Sequence, residues 1–233
     1  MGTMREAPEG ILVEIGSATA CFPNRRALPD GPSLDIALDS PGRDAAVKAV
    51  LSAGSAGERI TMGMNQQHGR DAQMVDPSRP MPDCDGLISS SAEFALVALA
   101  ADCVPIALAQ GQSVAVVHAG WRGLAAGVIQ RSLEVLDLNS GGGTVAAAVG
   151  PSARSCCYEV SQEVVDALGP HASADRRMVD TGKTAASILS AAGVVDLTVL
   201  DACTICGSPE RYFSFRTEGS DAGRQGVVAW LNR

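Results

Sequence analysis

Short unbroken apolar runs punctuate this chain, each ending at glycine, proline or aspartate, with longer stretches of helical periodicity between them. The run Ile11-Leu12-Val13-Glu14-Ile15 predicts a first strand, and the Pro, Gly and Asp of PNRRALPDGPS predict a loop after it. Arg43 to Gly54 carries Ala, Val and Leu at helical spacing and ends in glycine, a short helix. Arg59 to Gly69 reads as a strand running into a polar tip, NQQHG, and the prolines of VDPSRPMPDCDG make Val75 to Gly86 a loop. From Phe94 to Val117 the chain is apolar almost throughout, interrupted at Asp102-Cys103 and at Gln110-Gly111-Gln112, which predicts two strands joined by a tight turn. A helix follows from Leu124 to Leu138, with Ile129, Leu133 and Leu136 on one stripe. GGGTVAAAVGPS restarts a strand, and YEVSQEVVDALG leads into a helix with Ser161 as N-cap and Gly169 as its stop. VDLTVLDAC predicts a late strand, and RYFSFRTEGSDAGRQGVVAWL a hairpin turning at TEGSDAG. Strands and helices interleave without repeat or linker, so a single domain of α/β or α+β class is expected over residues 1–233.

The central hairpin yields a geometric expectation. A turn on Gln110-Gly111 sets Cys103 directly opposite His118, with Cβ atoms about 5 Å apart on one face. Adding one residue to the turn would flip the faces, and Pro105 calls for a strand-end or edge position. A cysteine beside a histidine is a nucleophile with its base, a pair of metal ligands, or a buried thiol next to a core imidazole.

Composition narrows the classes. The 233 residues carry a formal net charge of -8 and no Lys/Arg-rich run, which argues against nucleic-acid binding through phosphate contacts. No apolar run reaches bilayer length, and the N-terminus lacks the pattern of a signal peptide, so a cytoplasmic protein without a membrane partner is expected. Seven cysteines include Cys203-Thr-Ile-Cys206, but the adjacent Cys156-Cys157 does not supply the second C-x-x-C of a zinc ribbon. Of three histidines, His171 follows a helix end and reads as surface, while His68 in NQQHG suits a site.

NQQHG, AADCVPIAL, VVHAGWRGLAAGVI, VGPSARSCCYEV, Cys203-Thr204 and YFSFRTEGSDAGRQG together resemble the YfiH-type laccase-domain family, whose members carry the name polyphenol oxidase. The resemblance spans about residues 60–230 and is weak over residues 1–45. It implies an α+β fold, a four-layer α/β/β/α sandwich with two mixed sheets. It also implies a Zn2+ site made by His68, Cys103 and His118. Three protein ligands leave one tetrahedral position open, the arrangement of a catalytic zinc.

Family members resembling this chain are reported to phosphorolyse purine nucleosides, with adenosine deamination as a second activity. Purine nucleosides and phosphate are then the expected small-molecule partners. Asp102 and Arg122 would be catalytic, Arg122 holding phosphate together with the N-terminus of the following helix, and Asp102 orienting a ligand or moving a proton. Gln66, Trp121, Arg216 and Arg224 would contact substrate. Gln67 stands where the family has Val, and Thr217 where it has a second Arg, which leaves the preferred nucleoside open. Oligomeric state is not indicated. Three histidines cannot build the imidazole-rich copper cluster of a laccase, so copper would be an adventitious ion. Two other readings remain: a Cys-His amidase acting on peptidoglycan precursors, and a non-catalytic zinc module closed by Cys84 or Cys206.

Overall fold

The computed structural model describes residues 2–26, 33–79 and 81–232. The predicted loop positions 27–32 and Pro80 lie outside them. The strands are β1 (Met4–Ala7), β2 (Gly10–Ile15), β3 (Ala18–Pro23), β4 (Ile60–Met62), β5 (Ala72–Met74), β6 (Gly86–Ser89), β7 (Phe94–Ala100), β8 (Val104–Gln110), β9 (Ser113–Ala119), β10 (Ala146–Val149), β11 (Ala174–Asp175), β12 (Met178–Val179), β13 (Asp196–Val199) and β14 (Gln225–Leu231). The helices are α1 (Arg43–Ala53), α2 (Trp121–Ala126), α3 (Val128–Ser140), α4 (Gln162–Leu168), α5 (Thr181–Ala191) and α6 (Phe215–Glu218).

Two six-stranded mixed sheets stack face to face, ordered β1-β2-β3-β14-β7-β4 and β13-β10-β8-β9-β6-β5. The reason is visible in β9, SVAVVHA, which is buried along its whole length. Val114 and Val116 pack between the sheets with Leu96, Ala98, Val227 and Ala229. Ala115, Val117 and Ala119 face the other way, onto Ile129 and Leu136 of α3 and Leu189 of α5. A strand covered on both faces needs an unbroken apolar run rather than an alternating one. On the far side, Val47, Val50 and Leu51 of α1 cover Trp230 of β14. The order is therefore helix, sheet, sheet, helix: an α+β sandwich of four layers. Side-chain alternation gives His118 the same facing as Val114 and Val116. Its ring thus emerges at the end of the layer between the sheets, where the core opens.

Four sequence expectations shift. The hairpin turn is Gly111-Gln112, so Gln110 pairs with Ser113 and Pro105 with His118. Only Gly111 of the two has positive φ, 54°, as the first position of a II′ turn requires. The register differs from the expected one by two residues, and an even slip keeps faces. Cys103 therefore ends up beside His118 although it precedes β8 and is not its cross-strand partner. The long helix is broken at Gly127, which adopts φ 91° and separates α2 from α3. The first of these starts at Trp121 rather than near Leu124.

The C-terminal hairpin does not form. Both edges of β14 are taken, by β3 and β7, and Phe213 instead bonds the Gln225 side-chain amide through its own N–H and carbonyl. The segment between becomes α6 and a 3-10 turn at Gly219–Asp221. Finally, α5 and the strands flanking the first one, β1 and β3, carried no distinct expectation.

Candidate metal centre and cleft

The site is organised by a residue that the sequence does not advertise. Asp85, fully buried just before β6, accepts hydrogen bonds from the backbone N–H groups of Gln67 (3.2 Å), His68 (3.0 Å) and Gly69 (2.7 Å). It also accepts from His118 Nδ1 at 2.8 Å. One carboxylate thus holds both histidines. The polar tip wraps around it, with His68 itself at positive φ, 56°. Such strain persists only where surroundings impose it, and here the three N–H bonds do. With Nδ1 of His118 committed to Asp85, Nε2 is the ring nitrogen turned toward Cys103, the arrangement that orients metal-binding histidines. Asp85 lay in a proline-rich loop, where neither periodicity nor a spacing motif marks a buried carboxylate.

His68, Cys103 and His118 offer donor atoms that all lie within 4.8 Å of one another. The two imidazoles meet edge to face at 4.7 Å. Gly120 explains its own identity here: a Cβ on it would stand 3.1 Å from both Cys103 Sγ and His68 Cδ2. Burial alone would raise the Cys103 thiol, but the bonds and charges of the two histidines outweigh it and bring it down to about 6. Burial would lower His118, but Asp85 and the Cys103 thiolate carry it up to about 9. Asp85 is desolvated too, and its bonds to His118, Gly69 and His68 still hold it below the usual carboxylate range. A ready-made thiolate and an oriented imidazole suit a borderline-soft divalent metal.

The cluster lines a cavity of about 600 Å³ together with Gln66, Leu99, Asp102, Tyr158, Phe215, Arg216 and Arg224. A larger hollow of about 930 Å³ lies between α1 and β4, but no cysteine or histidine lines it. Each predicted residue has a definite place. Asp102, at φ 82°, accepts from Thr204 Oγ1 (2.6 Å), Ser214 Oγ (3.0 Å) and the Arg216 N–H (2.7 Å). Oδ2 therefore fixes the start of α6, and Oδ1 ties Asp102 to the loop that carries Thr204. Gln66 likewise gives its amide to the Leu99 backbone, donating to O at 2.9 Å and accepting from N at 2.7 Å. The Arg216 guanidinium lies 5.0 Å over the Tyr158 ring. Arg224 is turned partly back, donating from Nη1 to Gly223 O at 3.0 Å.

Trp121 is in an adjoining groove with Tyr158 and Arg216. Arg122 lies outside the cleft's lining, exposed and stacked on Trp121 at 4.4 Å. Neither Cys84 nor Cys206 supplies a fourth ligand: Cys84 Sγ packs on Met64 Sδ at 4.0 Å, and Cys206 belongs to a different group of thiols. The centre has three donors among the described residues, so the closed zinc module does not fit it. Tyr158 and Phe215 went unread in sequence as cleft residues, because their loops carry no periodic signal.

Residues 33–232 match the family described as multi-copper polyphenol oxidoreductase laccase. A purine nucleoside phosphorylase from Mycobacterium tuberculosis is 31% identical over 207 residues, covering 83% of this chain and 81% of that protein. One from Aquifex aeolicus is 32% identical over 155 residues, 66% of this chain and 74% of the relative. Among solved structures, YlmD from Geobacillus stearothermophilus aligns with a TM-score of 0.83 at 23% identity, over 100% of both chains. YfiH from Bacillus licheniformis gives 0.81 at 22%, over 98% of this chain and 99% of its own.

Proposed function

Because the chain belongs to the multi-copper polyphenol oxidoreductase laccase family and resembles purine nucleoside phosphorylases within it, we propose that it cleaves purine nucleosides with phosphate at the His68–Cys103–His118 cleft, with zinc as the metal. One observation carries the reading: an open set of two nitrogens and one sulfur shares a cavity with two arginines. The donor set fits zinc, which His68, Cys103 and His118 would hold, with Asp85 fixing the His118 imidazole and the His68 backbone. A bound zinc would supply Lewis-acid polarisation and an acidified water.

The chain's own residues account for the rest. Arg216 and Arg224 bring positive charge to the cleft and are the phosphate partners, in place of Arg122. The bond from a phosphate oxygen to ribose C1′ forms as the C1′–N9 bond breaks, and the electron pair leaves with the purine. Tyr158 and the half-exposed Phe215 offer rings against which a base can lie. Asp102 acts as a positioning residue, since it anchors the backbone of Arg216. Leu99 and the neighbouring apolar wall keep water from part of the cavity, which strengthens every charge contact inside. Adenosine deamination is a second activity of the same cleft, with C6 of the purine as the centre attacked by water.

The test is product separation after incubation with adenosine or inosine, with and without phosphate. Free base that appears only with phosphate supports the proposal. No base, and no inosine from adenosine, refutes it.

A second reading rests on the Cys103 thiolate and its imidazolium partner. In a metal-free protein this pair is that of a Cys-His amidase. Turnover of a peptidoglycan precursor by zinc-free protein, lost on alkylation of Cys103, would favour it over phosphorolysis.

A further inference from the structure

Outside the cleft, four cysteines converge. Cys156, Cys157, Cys203 and Cys206 place their sulfurs all within 4.8 Å of one another, and Cys156 and Cys206 approach to 3.3 Å. The spacing of the adjacent pair gave no hint of this, because the second half of the set is supplied by topology. The strands β10 and β13 run parallel and side by side, so the loops after their C-terminal ends meet. Ser152 bridges to Cys203 at that point, with Thr204 N donating to Ser152 O at 3.1 Å and Ser152 N to Ala202 O at 3.2 Å.

Both loops are preformed. The Cys203-to-Cys206 turn is closed by Gly207 N donating to Cys203 O at 3.0 Å. A Cβ at position 207 would lie 2.2 Å from that oxygen, so the turn requires glycine. On the other loop, Cys157 and Tyr158 N–H groups both donate to Arg154 O, at 3.0 and 2.8 Å. Arg154 is itself buried and anchored on Asp180, Asp201 and Leu200 O.

We propose that Cys156, Cys157, Cys203 and Cys206 form a second metal site, a closed four-thiolate centre for zinc or a similar thiophilic divalent ion. Four sulfurs at zinc-bond length of about 2.3 Å stand about 3.8 Å apart at the corners of a tetrahedron, and the set lies within reach of that size. All seven cysteines are free thiols, so none of the four is committed elsewhere. A full set of four protein ligands leaves no position for substrate, which makes the centre structural. Its consequence reaches the cleft. The first loop continues into Tyr158, and the second carries Thr204, whose hydroxyl bonds Asp102. The metal would clamp together the two loops that support one wall of the cavity.

The experiment counts metal in the full chain, purified under reducing conditions without chelator, by mass spectrometry. Wild type is expected to hold two zinc per chain. Cys103→Ala should keep one, and Cys156→Ser/Cys206→Ser should also keep one. Wild type and the double variant holding the same amount would overturn the second site while leaving the three-donor cluster intact. Cobalt added to metal-stripped Cys103→Ala protein gives an independent readout: strong thiolate-to-cobalt absorption supports the site, and its absence overturns it. Thiols are counted in denaturant without reductant after anaerobic purification. Seven support the proposal; five or three would mean that the cysteines pair as disulfides and would overturn it.

Discussion

Two thiol clusters sit on the same molecule and are built in opposite ways. His68, Cys103 and His118 come from three distant segments, the two histidines are held by one buried carboxylate, and all three line a cavity. Cys156, Cys157, Cys203 and Cys206 come from two loops at the ends of neighbouring parallel strands, and none of the four lines that cavity. The first cluster is electrostatically primed, with a thiolate at neutral pH. In the second, the neighbouring thiols divide the shift among themselves: bonds from Cys157 and Cys156 hold Cys206 below the usual thiol range, while Cys157 is pushed up to about 11, chiefly through its bond to Cys206. Number of donors and surroundings, more than residue type, separate a centre fit for chemistry from one fit for holding loops.

The sharpest way to break this contrast is to delete one ligand from each. Cys103→Ala or His118→Ala should lower phosphorolysis kcat/KM by at least about 1,000-fold, since loss of a second-shell partner alone costs about 10- to 100-fold. Cys206→Ser should lower it only a few-fold. Equal losses in steady-state assays would erase the distinction. Next comes the buried carboxylate: Asp85→Asn should weaken zinc binding at the three-donor site by about 10- to 100-fold, measured by competition with a chelating dye. Unchanged affinity would remove Asp85 from the account.

A smaller effect is expected at the rim. Arg216→Ala should raise KM for phosphate by about 10-fold, as loss of a charge-assisted hydrogen bond of roughly 1.5 kcal/mol would, with KM for nucleoside nearly unchanged. A nucleoside effect alone would place Arg216 on the base instead.

The last prediction contrasts thiol chemistry in metal-free protein. A group with a lowered pKa is ionised above that value. Alkylation of Cys103 by iodoacetamide should therefore rise through pH 6 and level off by pH 8. Cys157, with its thiol near 11, should still be accelerating there. Peptide mapping of modified cysteines gives the rates. A Cys103 profile that climbs to pH 9 would contradict the thiolate–imidazolium pair.

How much of this could be read from the chain follows from what each signal encodes. The strand β9 announces itself through four consecutive small or branched apolar residues, Val114 to Val117, and its partner through a similar apolar run. Their pairing placed Cys103 near His118 even though the turn lies one residue further on, because a slip of two preserves the face. The grouping of His68, Cys103 and His118 and the two cleft arginines were legible through motif resemblance. Asp85 was not, since its importance comes from three backbone N–H groups that converge only when the tip folds around it. Arg122 was read as a phosphate ligand from its charge at a helix start, and it lies outside the cleft lining, stacked on Trp121. The four-cysteine cluster stayed hidden for a similar reason. Its two halves are joined by the pairing of β10 with β13, and no spacing along the chain records that contact.

The claim that the open three-donor cleft carries phosphorolysis is tested most directly by phosphorus NMR of wild type and Cys103→Ala protein incubated with adenosine or inosine and inorganic phosphate. The account predicts a growing ribose 1-phosphate signal, matched by free purine base, with wild type and none with the variant. Equal signals from both proteins, or none from wild type with any purine nucleoside, would contradict it.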